Sequence, residues 1–236
     1  MEQKLSQLVD RLKAAYGTRL VSVILYGSAV MDDWNERRSD LNILCILDRL
    51  SPEELGHSEP IFRWWRGQGN PPPLLLTSLE LKSSSDCFPM EFHDMQEHRR
   101  VLYGTDLIAG LQVDNSFYRA QVEHELRAKQ IRLRQKAAEA LRSPERLQQL
   151  LTDSISTFCV LGRHALILSG HQPQWKKKEI VAALEKATAC PFPAVNEILS
   201  IRTSGKKESA STAVSLLAGY LAETDALVQF VDALAR

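Results

Sequence analysis

Cysteine is scarce and scattered. The chain of 236 residues has four, at positions 45, 87, 159 and 190, and no two stand in a CxxC pair. That spacing indicates neither a disulfide framework nor a metal site, and the four read as reduced, mostly buried thiols. An excess of charge of one sign is also missing. The 29 Lys and Arg balance 29 Asp and Glu, so nothing marks a general nucleic-acid binder, although local basic patches remain open. No apolar stretch approaches the length a membrane span needs, and the N-terminal MEQKLSQLVDRLKAAYG has no signal-peptide core. No repeat or low-complexity segment appears. These absences leave a cytoplasmic protein with no membrane partner. A hydrophobic content of 44% is ample for one large domain or two of ordinary size.

The most informative stretch is 21–47. Val21, Val23, Ile24 and Leu25 form an apolar, β-branched run that ends in Tyr26-Gly27-Ser28, the pattern of a buried strand closed by a turn. Gly27 permits a sharp turn and a close approach of a ligand to the main chain, and Ser28 sets a hydroxyl and an N–H beside that opening. Residues 31–39 are a charged excursion, read as a solvated loop or as one whose Arg37 or Arg38 reaches a bound anion. A second strand follows at 40–47. Alternation puts Asp40 and Asn42 on one face and Leu41 and Ile43 on the other.

A helical period of Leu5, Leu8, Val9, Leu12 and Ala15 predicts a first helix ended by Gly17. Ser51-Pro52-Glu53-Glu54 is a helix start with Glu54 at the capping-box position. Phe62, Trp64 and Trp65 near the end of that helix read as core or as a stacking surface. Asn70-Pro71-Pro72-Pro73 breaks the pattern. Residues 74–77 then predict a third strand, and 78–85 a turn or short helix. In 88–95, FPMEFHDM, alternation predicts a strand with Glu91 and His93 on one face. An acid inside an apolar strand is costly unless it is paired or bound to metal. Glu91 therefore belongs to a site, or else it pairs with Arg99 or Arg100. Residues 97–102 read as helical.

Gly27-Ser28, then Ser39-Asp40-Leu41-Asn42 on a strand, then FPMEF, resemble in order and spacing the DNA polymerase β-like nucleotidyltransferase superfamily. The nearest branches are the aminoglycoside nucleotidyltransferases and the minimal nucleotidyltransferases. The resemblance covers roughly the first half of the chain. It implies that Gly27, Ser28 and Ser39 hold nucleotide phosphates. It also implies that Asp40 and position 42 hold magnesium, with manganese as a substitute, and that Glu91 supplies a third carboxylate as metal ligand or general base, with Asp94 as the weaker candidate. The implied reaction moves a nucleoside monophosphate from a nucleoside triphosphate, ATP first, to the hydroxyl of a small molecule, a protein or an RNA. The family also allows a homodimer. This chain departs from the Asp-x-Asp pattern at Asn42, which offers a carbonyl oxygen but no charge. Hard oxygen ligands with negative charge are what magnesium favours, so the alternative is a nucleotide-binding sensor or interaction module without turnover.

Past 112 the strand pattern disappears. Helices are predicted over 117–141, from Ser143-Pro144-Glu145 to Gly170, over 175–187, near 195–201 and over 213–234. The expected fold class is α+β. A small mixed-sheet nucleotidyltransferase-like domain at 1–112 precedes an all-helical bundle at 113–236, and in the resembled family the cleft between the halves takes the acceptor. Arg163-His164 and the run at 176–178 are read as solvated face or domain contact. The spacing of Arg119 and His124 matches a ribonuclease pattern only by coincidence, because i and i+5 do not share a helix face.

Overall fold

The computed structural model describes residues 1–30, 40–205 and 209–234. The chain divides into two units, Met1–Asn115 and Ser116–Arg236. The first is built on β1 (Leu20–Tyr26), where Val23, Ile24 and Leu25 are completely buried. A strand achieves that only with a neighbour on each edge and a layer on each face. β2 (Asn42–Leu47) takes one edge of β1 and β4 (Arg99–Gly104) the other, both antiparallel. β3 (Leu74–Thr77) adds to β2 in parallel, which gives the order β3-β2-β1-β4.

Alternation sorts the side chains between two layers. Val23, Leu25, Ile43, Cys45 and Leu47 pack with α1 (Glu2–Tyr16) and α2 (Pro52–Gly67) through Leu5, Leu8, Leu12, Ile61 and Trp65. Ile24, Leu44 and Ile46 face Leu81 of α3 (Ser78–Ser83) and Phe92 and Met95 of α4 (Pro89–Glu97). Each fully buried aliphatic side chain in these layers contributes about 1.5–3 kcal/mol. Trp65 is entirely buried and Trp64 stacks under Arg11, so this pair serves the core.

Ser51 caps α2 as its sequence predicts, its Oγ accepting from the Glu53 N–H at 3.2 Å. Glu54 meets the Ser51 side chain and not its backbone N–H, so the expected capping box is not closed. Its buried carboxylate accepts from Arg19 Nη1 at 2.9 Å, from Arg49 Nε at 3.1 Å and from the Ser51 hydroxyl. The Ser51 hydroxyl above all, with the Arg49 bond and charge, outweighs burial and holds the carboxyl down to about 2.

Two elements exchange their expected types. Residues 88–95 are not a strand, and 98–102 are not helical. Pro89 opens α4 at its first turn with Glu91 close behind, both favoured at a helix N-terminus. Of its buried side chains, Pro89, Phe92 and Met95 recur every three residues, a helical spacing. The apparent period of two came from a polar–apolar alternation too short to distinguish the two structures. The strand is β4, whose Val101, Leu102 and Tyr103 suit a pleated surface and whose Gly104 lies at φ +76. A Cβ there would stand 2.0 Å from the Val21 carbonyl oxygen. β2 also begins two residues later than expected, at Asn42.

The second unit contains α5 (Tyr118–Ala140), α6 (Pro144–Leu168), α7 (Lys177–Thr188), α8 (Pro193–Ser204) and α9 (Ala210–Asp232). Leu126, Leu151, Ile155, Phe158, Leu184, Ile198 and Leu227 are among its buried side chains. Arg163 and His164 are not a solvated face, because both are buried. Arg163 lies over the Trp175 ring at 4.2 Å, and His164 Nδ1 is 2.7 Å from the Tyr118 hydroxyl. α9 also amends the expectation about apolar length. Ser211–Asp232 is long and apolar enough to cross a bilayer, since its many small residues hide that character from a search for bulky runs. Here it is a bundle helix whose buried Glu223 accepts from the Ala194 and Val195 N–H groups at 2.7 and 2.8 Å, at the start of α8.

Gly104→Ala is expected to destabilise the chain by on the order of 3 kcal/mol, read from urea midpoints, because positive φ and a backbone clash coincide. An unchanged midpoint would refute the β1–β4 register. Glu54 gives a pH signature. A carboxyl depressed in the fold stabilises it above the ordinary value of 4.5, and that contribution is lost as pH falls from there toward 2. The fall in urea midpoint across this window should be shallower in Glu54→Gln than in wild type, and parallel profiles would contradict the assignment.

Candidate functional site

The last rung between β1 and β2 is Tyr26 opposite Asn42. Immediately past it the chain turns through a short 3-10 segment, Gly27–Val30. Gly27 has φ +77, and a Cβ on it would lie 3.2 Å from Asn42 Nδ2. The backbone conformation favours glycine here, and the Asn42 amide packs close over it. Ser28 is half-buried beside it.

The approach to β2 is held from the side. Leu41 is buried in the α1/α2 layer, and its N–H donates to Asn70 Oδ1 at 3.1 Å. That backbone donor is therefore engaged outside the sheet ladder, which accounts for the strand starting at Asn42. Asp40 is exposed just before it. Ser39, with Arg37 and Arg38, lies outside the described residues.

Asn42 shares its face of β2 with Leu44 and Ile46, the face that α4 covers. Tyr26 packs into the same layer. Burial above all pushes the Tyr26 phenol up, and the charge of Glu91 pushes it further. Glu91 is exposed in the first turn of α4. Its charge therefore acts on Tyr26 from a helix, not from the strand expected for it. Arg99 and Arg100 are engaged elsewhere, with Asp106 at 2.9 Å and Glu2 at 3.0 Å. His93 does not share a face with Glu91, since i and i+2 diverge on a helix. Its Nε2 is 2.7 Å from Asn115 Oδ1.

Two residues escaped sequence reasoning. Tyr26 carried a signal, its place directly before Gly27. Asn70 carried none, because a side chain that binds a backbone N–H 29 residues away leaves no periodic trace.

Among the described residues no three His, Cys, Asp or Glu side chains gather into a metal-binding group. Asp40 and Glu91 carry exposed carboxylates, and Asn42 adds a half-buried amide. That set suits a hard cation that completes its shell with phosphate oxygens and water, as magnesium does.

The fold as a whole is shared with a solved adenyltransferase. In particular, the chain matches the crystal structure of the spectinomycin adenyltransferase AAD(9) from Enterococcus faecialis with ATP and spectinomycin. The TM-score is 0.61 and the identity 17%, over 96% of this chain and 99% of that one. At that identity the likeness is one of fold. No protein-family model matches the chain, and no curated protein matches it in sequence.

Replacing Glu91 with Gln removes one of the two causes that raise Tyr26. The Tyr26 pKa, followed by phenolate absorbance, should fall while staying above its ordinary value of 10.0, since burial persists. No movement would place Glu91 away from the turn.

Proposed function

We propose that this chain transfers a nucleoside monophosphate from a nucleoside triphosphate, ATP first, to a hydroxyl acceptor. The observation that carries the reading is the turn at Gly27, packed against Asn42 and within reach of the Glu91 charge, on a fold shared with an adenyltransferase crystallised with ATP. That neighbour's spectinomycin favours a small-molecule acceptor over a protein side chain or an RNA end. Free thiols and use of a nucleoside triphosphate fit the cytoplasm.

In this reading the bare Cα of Gly27 and the N–H and hydroxyl of Ser28, with Ser39, receive phosphate oxygens. Asp40 and Glu91 hold magnesium, or manganese in its place, with the Asn42 carbonyl as an uncharged third donor. When bound, the cation neutralises the charge that builds on the phosphate oxygens. Glu91 takes the proton of the acceptor hydroxyl as that oxygen bonds to the α-phosphorus, and the bond from the α-phosphorus to pyrophosphate breaks. Orientation of the triphosphate falls to the turn. Gly27 matters there because its positive φ makes the turn and brings the main chain close to the Asn42 amide.

Asn42 also favours a second reading, a nucleotide-binding sensor that does not turn over. Preorganised charge is commonly the largest catalytic contribution, and an amide at position 42 removes one unit of it.

The test is nucleotidyl transfer from labelled ATP, CTP, GTP and UTP with magnesium or manganese, against aminoglycosides, spectinomycin, proteins and tRNA. Wild type should transfer, Asp40→Ala should be silent, and Asn42→Asp should be faster by about tenfold. Transfer by Asn42→Asp alone establishes the sensor. Silence from all three, with no nucleotide binding by calorimetry, would sink both readings.

A further inference from the structure

The second unit has a hollow of about 250 Å³ between α5, α6 and α9. It takes no part in the proposed reaction. Its floor is apolar, with Leu126, Leu133, Phe158, Leu161 and Tyr220 all buried. Two of the hydroxyls on its wall, Ser154 and Thr224, are satisfied within their own helices. Ser154 Oγ donates to the Leu151 carbonyl at 2.8 Å, and Thr224 Oγ1 to the Tyr220 carbonyl at 2.8 Å. An occupant therefore meets an apolar interior with little unspent hydrogen-bonding capacity.

The mouth is different. Lys129, Arg132 and Lys136 follow one another along the rim at i, i+3 and i+7 on α5, all exposed. Lys129 leans toward Glu125 at 3.4 Å. Arg132 and Lys136 have no ion-pair partner among the described residues. The one carboxylate in the lining, Asp153, accepts from Gln149 Nε2 at 2.7 Å, and the nearby Asp225 accepts from Gln130 Nε2 at 3.3 Å. The rim thus carries an excess of positive charge above an oily floor.

We infer that this hollow binds a small amphipathic anion, a carboxylic acid whose aliphatic or aromatic body fills the floor while its carboxylate meets Arg132 and Lys136. Pockets of this kind use an apolar wall for affinity and a few polar groups for orientation. Arg presents a fork that matches a carboxylate, and the long stems of both cations can follow the apolar wall outward. The charge excludes cationic relatives of the same shape.

The full chain titrated with decanoate by calorimetry should bind one molecule per chain, with affinity that falls as salt rises. Decyltrimethylammonium should bind at least tenfold more weakly. Arg132→Gln with Lys136→Gln, both at exposed positions, should weaken decanoate by about tenfold. Thr157→Trp, which fills the hollow from α6, should abolish binding, and Asp40→Ala should leave it unchanged. Absence of binding by the folded wild type would overturn the proposal. So would equal affinity for the two surfactants, or decanoate binding that survives the paired Gln substitutions. If Thr157→Trp fails to fold, the paired substitutions decide alone.

Discussion

The first unit depends on the complete burial of β1. Val23, Ile24 and Leu25 are sealed on both faces and both edges, so every backbone group on that strand must be paired by a neighbouring strand. This demand recruits β2 and β4, and the two helical layers follow from the side chains that alternate along them. It also fixes where the chain leaves the sheet. Past Tyr26 the ladder ends and the backbone turns at positive φ. The turn falls at Gly27, whose positive φ favours glycine, with Asn42 on the last rung packed against it.

Chemistry collects at that exit for the same reason. A polar side chain inside the sheet would be buried without partners, whereas at its rim it keeps water or a ligand. Asp40 and Glu91 are exposed there, and Asn42 and Ser28 are half-buried. Two buried carboxylates lie further back and are matched. Glu54 is held by Arg19, Arg49 and Ser51, and in the second unit Glu223 is held at the start of α8. Both carboxylates are anchored by donors, and their roles are structural.

The two halves of the candidate site were not equally legible. Gly27, Ser28, Asp40 and Asn42 stand in one short stretch, where a strand, a glycine and a period of two suffice to place them on one rim. Glu91 depended on a distant segment whose type was misread. FPMEFHDM alternates like a strand but carries a proline at a helix start and buried side chains at helical spacing. Only packing of Phe92 and Met95 against Ile24, Leu44 and Ile46 settles which period applies. Asn70 was beyond reach altogether, since its bond to Leu41 joins segments that share no pattern.

The sequence by itself determined that a buried strand ends in a glycine turn beside an Asp-x-Asn pair, that caps such as Ser51 and Ser143 open helices, and that the strands give way to a bundle. These are local properties, set by propensity, periodicity and backbone sterics over a few residues. Tertiary structure decided which face of which element meets which. It made α4 a helix and β4 a strand, buried Arg163 and His164, brought the Glu91 charge to Tyr26 and left a hollow under Arg132 and Lys136. Those outcomes turn on contacts between residues far apart in the chain, whose energies depend on shape and burial and are absent from any short window of sequence.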